Sequence, residues 1–225
     1  MGTRGSGTEP TLARVVRGSV DAEGERVSLE SDRGMIDCRY HRADGGRVAV
    51  MWLSGTGGGL AGPAAGLYPR LARALVSKGI ASLRLECRRP GRLRESVLDA
   101  CLGVGFLVGE WRDRVVLVGH AFGGAVAIRA GAACEQVIGV AALSCQPSGT
   151  RQVRALAPRP LLLVHGGTDE IVWHTHSAGI LARAGKPKRL VLYPDGGHDL
   201  DECRVALEAE LGAWIEEVAA GGRPG

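Results

Sequence analysis

The chain has 225 residues, 45% of them hydrophobic, which suffices for one soluble globular domain with a core of its own. Its formal net charge of +4 is small and its 28 basic residues are spread along the chain, so composition does not favour nucleic-acid binding. It contains no apolar segment of transmembrane length and no apolar signal core near its first residue, so we expect a cytoplasmic protein that does not bind a membrane.

The two ends of the chain differ in composition from the region between them. Residues 1–10 are rich in glycine, serine and threonine, which predicts a disordered lead-in. Residues 220–225 are also rich in glycine and predict a flexible tail. Because the region between these ends shows neither an internal repeat nor a linker, we expect one domain over residues 11–219.

Apolar and polar side chains alternate in three short segments near the beginning of the chain. These segments, residues 13–20, 27–30 and 35–40, are separated by polar turns that contain glycine. Alternation with such turns indicates antiparallel strands, which we expect at one edge of a sheet. His41 follows the third segment, and we expect it on the surface of this edge strand.

From residue 47 onward, apolar strands alternate with helical segments. Residues 48–53 form a continuous apolar run, which is typical of a strand buried on both faces. Further strands are predicted at residues 80–85, 115–118, 137–143, 161–165 and 189–193. Helices are predicted at residues 64–78, 93–111, 122–133, 175–184 and 201–218. This alternation predicts an α/β fold with a mostly parallel sheet, right-handed crossovers and helices on both faces.

The turn between the strand at 115–118 and the helix that follows is the most informative feature of the sequence. It has the frame of a nucleophile elbow, G-x-S-x-G, in which the central side chain stands on a strained turn above the sheet. Gly119 and Gly123 keep this frame, but Ala121 occupies the central position. Its methyl group has no lone pair with which to attack a substrate.

Four loops follow strands at their carboxyl ends, where open parallel sheets form their sites. The first is rich in glycine around Thr56, so its backbone N–H groups can face a developing oxyanion. The second is the elbow, where the N–H of Phe122 would point to the same place. The third loop contains Asp169, and the fourth contains His198.

With these residues in this order, the chain resembles the α/β-hydrolase family, in particular small uncapped members similar to dienelactone hydrolases and carboxylesterases. The resemblance covers roughly residues 48–218 and implies hydrolysis of an ester, lactone or similar acyl bond in a small soluble substrate. It puts Ala121 at the nucleophile position, Asp169 at the acid and His198 at the base. Between Leu143, which ends one predicted strand, and Pro160, which precedes the next, there are only sixteen residues. This is too short for a lid domain, so none is expected.

The same resemblance assigns further roles around the predicted cleft. It implies that the N–H groups of Thr56 and Phe122 form the oxyanion hole. It also implies that Gly55, Gly57 and His120 contact the substrate. It implies neither a cofactor nor a metal, and nothing in the sequence indicates an oligomeric state.

Three interpretations of Ala121 stay open. In the first, a serine has been changed deliberately to silence the enzyme. In the second, the alanine is natural and the chain is a binding protein that retains the pocket. In the third, the alanine is natural and His198 works without a covalent intermediate, for example by activating water. Because the acid and base positions are filled, long decay is not favoured. In all three, serine-type hydrolysis by this chain is weak or absent.

The cysteines, Ser144 and the arginines within residues 84–94 are not predicted to belong to the site. The six cysteines have no C-x-x-C spacing and are predicted to be single small apolar residues, not a zinc site or a disulfide framework. Ser144 and Cys145 end a predicted strand, but no glycine turn exposes either as a substitute nucleophile. The arginines within residues 84–94 could pair with an acidic substrate, but a solvated loop is the favoured interpretation.

Overall fold

The computed structural model describes residues 11–221. The predicted lead-in at residues 1–10 and most of the predicted tail lie outside the described residues. The strands are β1 (Leu12–Asp21), β2 (Gly24–Ser31), β3 (Gly34–His41), β4 (Val48–Leu53), β5 (Ala81–Leu85), β6 (Arg114–His120), β7 (Val137–Leu143), β8 (Leu161–Gly166) and β9 (Lys188–Tyr193). The α-helices are α1 (Pro63–Val76), α2 (Leu93–Gly109), α3 (Phe122–Ala133), α4 (Thr175–Arg183) and α5 (Arg204–Ala219).

The strands form one mixed sheet in the order β1-β2-β3-β5-β4-β6-β7-β8-β9. Strands β1, β2 and β3 pair antiparallel with each other, and β3 pairs antiparallel with β5. All pairs from β5 to β9 are parallel. The predicted α/β class is therefore confirmed, with a mostly parallel sheet and an antiparallel edge formed by the first strands.

The core lies on both faces of this sheet, as the continuous apolar run of β4 predicts. Met51 and Leu53 belong to the cluster that packs under α2, α3 and α4. Val50 and Trp52 belong to the opposite cluster, which packs under α1 and α5. Because successive side chains of a strand point to opposite faces, a strand with helices on both sides is apolar at every position.

Four of the five predicted helices differ from the structure in their bounds, and two of them differ in the form of their first turn. The helix predicted at residues 64–78 begins at Pro63, and its first turn is irregular because Ala64, Ala65 and Gly66 have positive φ. The helix predicted at residues 201–218 is split into a short 3₁₀ helix, Asp201–Cys203, and α5. Another 3₁₀ helix, Arg151–Leu156, fills the connection between β7 and β8, so the described residues contain no lid there.

The expectation of a surface position for His41 is wrong. Its exposed fraction is only 8%. The ring packs against the tight turn between β1 and β2, where a Cβ on Gly24 would lie 2.9 Å from it. Burial, followed by the nearby charges of Arg84 and Arg73, lowers the pKa of His41 to about 4. Because the contact joins two strands across a turn, alternation along one strand does not reveal it.

Among the described helices, none combines the length and the apolar character that are needed to cross a bilayer.

Candidate active site

Strand β6 passes into α3 through a tight turn at Ala121. This residue has φ 51° and ψ −112°, a conformation that is costly for any residue other than glycine. Its N–H donates to the carbonyl oxygen of Leu143 at 2.8 Å, and its own carbonyl accepts from Gly124 at 3.2 Å and from Gln146 at 3.3 Å. These hydrogen bonds hold the strained turn, so the direction of the Ala121 side chain is fixed by the backbone.

The glycines around Ala121 are required by close contacts between backbones. A Cβ on Gly119 would lie 2.1 Å from the carbonyl oxygen of Gly123, and a Cβ on Gly123 would lie 2.3 Å from that of Leu53. A Cβ on Gly124 would lie 2.8 Å from the sulfur of Cys145. The strand and helix of the elbow therefore approach each other more closely than any side chain allows, as the G-x-x-x-G frame predicts.

An acid–base pair is assembled beside the elbow by the loops that follow β8 and β9. His198 Nδ1 lies 2.8 Å from Asp169 Oδ2. The other carboxylate oxygen of Asp169 accepts from the N–H groups of Ile171 at 2.9 Å and Val172 at 2.8 Å. Because a carboxylate oxygen accepts, Nδ1 of His198 carries the proton in this contact, and Nε2 is left as the basic nitrogen.

Asp169 is ionised at neutral pH although its side chain is fully buried. Burial by itself raises the pKa of this carboxyl group, but the N–H of Val172, the ring of His198 and the N–H of Ile171 outweigh it. The net result is a pKa below the ordinary value of an aspartate. A charged carboxylate in this position orients the imidazole and stabilises its protonated form.

His165 also contacts Asp169, and sequence reasoning missed this contact. Its Nε2 lies 3.1 Å from Asp169 Oδ2 and 2.7 Å from the carbonyl oxygen of Val172, so this nitrogen is a donor. Its Nδ1 lies 2.7 Å from the hydroxyl of Ser177, from which it accepts. Burial lowers the pKa of His165, so the ring is neutral. The available signal was its position at the end of β8, four residues before Asp169.

The cleft above the elbow has a volume of about 420 Å³. The residues that the sequence predicts for the site and that line this cleft are Gly55, Thr56, Gly57, His120, Ala121 and His198. Two others lie behind it. The side chain of Phe122 is buried beneath the turn, but its N–H is the first of α3 and has no acceptor within the helix. Asp169 lies behind His198.

The donor atoms of His120, His198 and Asp199 lie within 4.8 Å of one another, which raises the question of a metal ion. Nε2 of His120 lies 3.0 Å from the carbonyl oxygen of His198. Because a carbonyl oxygen only accepts, this nitrogen carries a proton and is not available as a ligand. Nδ1 of His198 is bound to Asp169 in the same way. This leaves Nε2 of His198 available, but with Nε2 of His120 protonated the group offers only that nitrogen and the carboxylate of Asp199, which does not favour a metal centre.

The arginines within residues 84–94, in β5 and the loop after it, divide into two groups. Arg84 is buried and pairs with Glu23, and Arg88 donates through its Nε to the buried Asp99 at 2.7 Å. For these two residues the interpretation as a solvated loop is wrong, since each has a carboxylate partner from another element. Arg89, Arg92 and Arg94 are exposed, in agreement with that interpretation.

Known proteins were compared with the whole chain. No model of a known protein family matches it. A segment of 51 residues is 43% identical to part of the uncharacterized protein YfhR of Escherichia coli (strain K12), and it spans 23% of this chain and only 18% of that protein. The uncharacterized protein Rv2307c of Mycobacterium tuberculosis (strain ATCC 25618 / H37Rv) is 28% identical over 243 residues, covering 91% of this chain and 84% of that protein.

Solved structures identify the fold. The esterase domain of a Rhodothermus marinus protein matches with a TM-score of 0.70 and 21% identity, covering 85% of this chain and 97% of that one. XC6422 of Xanthomonas campestris, a serine hydrolase without lid, matches with a TM-score of 0.69 and 19% identity, covering 91% and 97%. Est1E of Butyrivibrio proteoclasticus matches with a TM-score of 0.75 and 16% identity, covering 87% of this chain and 99% of that one. The chain has the α/β-hydrolase fold, and the predicted resemblance is confirmed at the level of the fold.

Proposed function

We propose that the cleft is a serine-hydrolase type of acyl site in which alanine occupies the position of the nucleophile. The observation that carries this proposal is the contact of 2.8 Å between His198 and Asp169, formed beside a strained elbow that ends in Ala121. The substrate class is a small ester, lactone or similar acyl compound. As it stands, the chain is weak or inactive in hydrolysis through an acyl-enzyme.

Each part of the site has a role in this proposal. The N–H groups of Thr56 and Phe122 stabilise the oxyanion that forms when the acyl carbon is attacked. Asp169 orients the ring of His198, whose Nε2 is the general base. With a hydroxyl at position 121, His198 would take its proton as the oxygen attacks. Without that hydroxyl, only a water molecule in the cleft can be activated. Loss of the serine in a comparable site costs on the order of 10⁶-fold in kcat.

A protein that binds a ligand without turning it over is the alternative. Such a protein has no need to keep an ionised acid behind a histidine. Here Asp169 is fully buried, yet its pKa lies below the ordinary value because hydrogen bonds outweigh burial. Ala121 also lines the cleft, so the space in front of its methyl group is accessible. Both features favour the interpretation as an acyl site that lacks one oxygen atom, and they do not favour a pocket that serves only for binding.

Hydrolysis of p-nitrophenyl acetate by the parent chain and by Ala121→Ser tests the proposal. We expect the variant to exceed the parent by on the order of 10³-fold or more, since the missing nucleophile is restored. Adding His198→Ala to that variant should return the rate to the parent value. Ala121→Gly is the matched control, because it changes the same residue without adding a hydroxyl, and it should gain nothing.

The opposite outcome is equally clear. If Ala121→Ser has the parent's thermal stability and hydrolyses neither acetate nor butyrate esters faster than the parent, Ala121 does not occupy a nucleophile position. Ligand binding without turnover is then the better account of the cleft.

A further inference from the structure

Two cysteines from different helices meet on the face of the sheet that α2 and α3 cover. Cys101 lies within α2, and Cys134 is the residue that ends α3. The thiol of Cys134 donates to the sulfur of Cys101 at 3.2 Å. A disulfide sets its sulfurs about 2.05 Å apart, so a bond between them requires an approach of roughly 1 Å. Because the two cysteines are 33 residues apart in the chain, their spacing in the sequence does not predict this contact.

The other four cysteines have different surroundings. Cys38 and Cys145 are fully enclosed, and burial raises the pKa of both thiols. Burial also raises the pKa of Cys87 to about 12, and it raises the pKa of Cys203. These four thiols are therefore protonated at neutral pH, and the thiol form does not react with oxidants.

Cys101 and Cys134 are accessible from solvent. Both are half-buried and line a surface depression of about 420 Å³, together with Leu98, Leu102 and Gln136. The guanidinium of Arg159 lies beside Cys134 and donates to its carbonyl oxygen at 3.1 Å. A small solute that enters this depression can therefore reach the two sulfurs, which lie 3.2 Å apart.

We propose that Cys101 and Cys134 form a site of reversible oxidation that takes a small peroxide as its oxidant. The thiolate of Cys134 attacks one oxygen of hydrogen peroxide, the O–O bond breaks, and a sulfenic acid and hydroxide form. The thiolate of Cys101 then attacks the sulfenic sulfur, an S–S bond forms, and the oxygen leaves as water. In total, two thiols and one peroxide give one disulfide and two waters. The bond ties α2 to the end of the helix that begins at the elbow.

The test treats the reduced full chain with hydrogen peroxide and then blocks the remaining thiols. We expect two of six thiols to be lost, with a mass decrease of about 2 Da that dithiothreitol reverses. Digestion after glutamate separates Cys134 from Cys145 by cleaving at Glu135, so the linked peptides can be assigned. They should contain Cys101 and Cys134.

Matched variants complete the test. Cys101→Ser and Cys134→Ser should each abolish the loss of two thiols. Cys203→Ser, which removes a half-buried thiol elsewhere, should leave it unchanged. The proposal is overturned if peroxide links other cysteines, joins two chains, or forms no disulfide in the parent. The linkage map of the parent decides the question even if a serine variant does not fold.

Discussion

The carboxylate of Asp169 contacts residues that precede it and residues that follow it in the sequence. The N–H groups of Ile171 and Val172 bind one oxygen, while His198 and His165 contact the other. A carboxylate with this many donors has no freedom to turn, so the ring of His198 is fixed with it. In the proposed acyl site, Ala121 is the residue that lacks a nucleophilic atom, and its backbone has φ 51° and ψ −112°, the strained conformation of an elbow.

Among the described residues, His41 has a pKa far below the ordinary value of a histidine. Its pKa is lowered from 6.5 to about 4 by burial, followed by the charges of Arg84 and Arg73. Neither ring nitrogen has a hydrogen-bond partner among the described residues. Since the folded state has the lower pKa, the unfolded chain binds the proton first as the pH falls. Acid therefore favours unfolding between pH 6.5 and about 4, and stability is regained as the pH rises.

We expect His41→Gln to reduce this pH dependence. Between pH 7 and pH 5, the free energy of unfolding of the parent should fall by about 2 kcal/mol more than that of the variant. Urea unfolding at the two pH values measures the difference. His174→Gln is the matched control, because His174 is exposed, and it should behave like the parent. Equal pH dependence in the parent and His41→Gln would show that the ring is protonated in the folded protein.

At the scale of elements, the elbow depends on how closely α3 approaches β4. A Cβ on Gly123 would lie 2.3 Å from the carbonyl oxygen of Leu53, and backbone cannot move aside as a flexible side chain can. We expect Gly123→Ala to lower the free energy of unfolding by about 3 kcal/mol. In contrast, Gly105 in α2 has no atom within 4 Å of an added Cβ.

Gly105→Ala is thus the control for the intrinsic effect of alanine in a helix. It should raise the free energy of unfolding by up to about 1 kcal/mol, because alanine has the higher helix propensity. Urea unfolding of both variants at neutral pH separates the clash from the propensity. A Gly123→Ala variant as stable as the parent would mean that the helix and strand are farther apart than described.

At the scale of the whole molecule, one sheet supports two apolar clusters, one on each face. Leu83 lies in the cluster under α2, α3 and α4, and Leu162 lies in the cluster under α1 and α5. Since β4, β6, β7 and β8 each contribute to both clusters, we expect the two clusters to unfold together. Leu83→Ala and Leu162→Ala should each cost about 2 to 5 kcal/mol.

Two spectroscopic probes check this expectation. Of the four tryptophans, Trp52 and Trp214 are buried in the cluster under α1 and α5, and the other two are exposed. The change in tryptophan fluorescence on unfolding therefore reports mainly on that face. Far-ultraviolet circular dichroism reports on all elements. The two transitions should coincide in the parent and shift together in both variants. A fluorescence midpoint that moves only with Leu162→Ala would indicate two independently unfolding units.

Much of the fold was predictable because its signals are local. The apolar run of β4 predicts a strand buried on both faces, and the glycine frame around Ala121 predicts the close approach of β6 and α3. The order of Asp169 and His198 after successive strands predicts that both lie at the same edge of the sheet. Each of these predictions depends only on period, turn chemistry or chain order.

The contacts that sequence reasoning missed all join distant segments. His165 reaches Asp169 only because the loop after β8 folds back, and His41 is buried only because the turn at Gly24 covers it. Cys101 and Cys134 meet through the packing of two helices. No periodic pattern encodes such contacts, since they depend on the relative placement of elements after they have formed.

The most direct test of the account is covalent labelling of the elbow with a fluorophosphonate, which reacts with activated serine hydroxyls. We predict that Ala121→Ser gains one phosphonyl group per chain by intact mass and that the parent gains none. The label should disappear when His198→Ala is added, because the base that activates the hydroxyl is then lost. A folded Ala121→Ser variant that stays unlabelled would contradict the claim that this protein holds a complete hydrolytic site without its nucleophile.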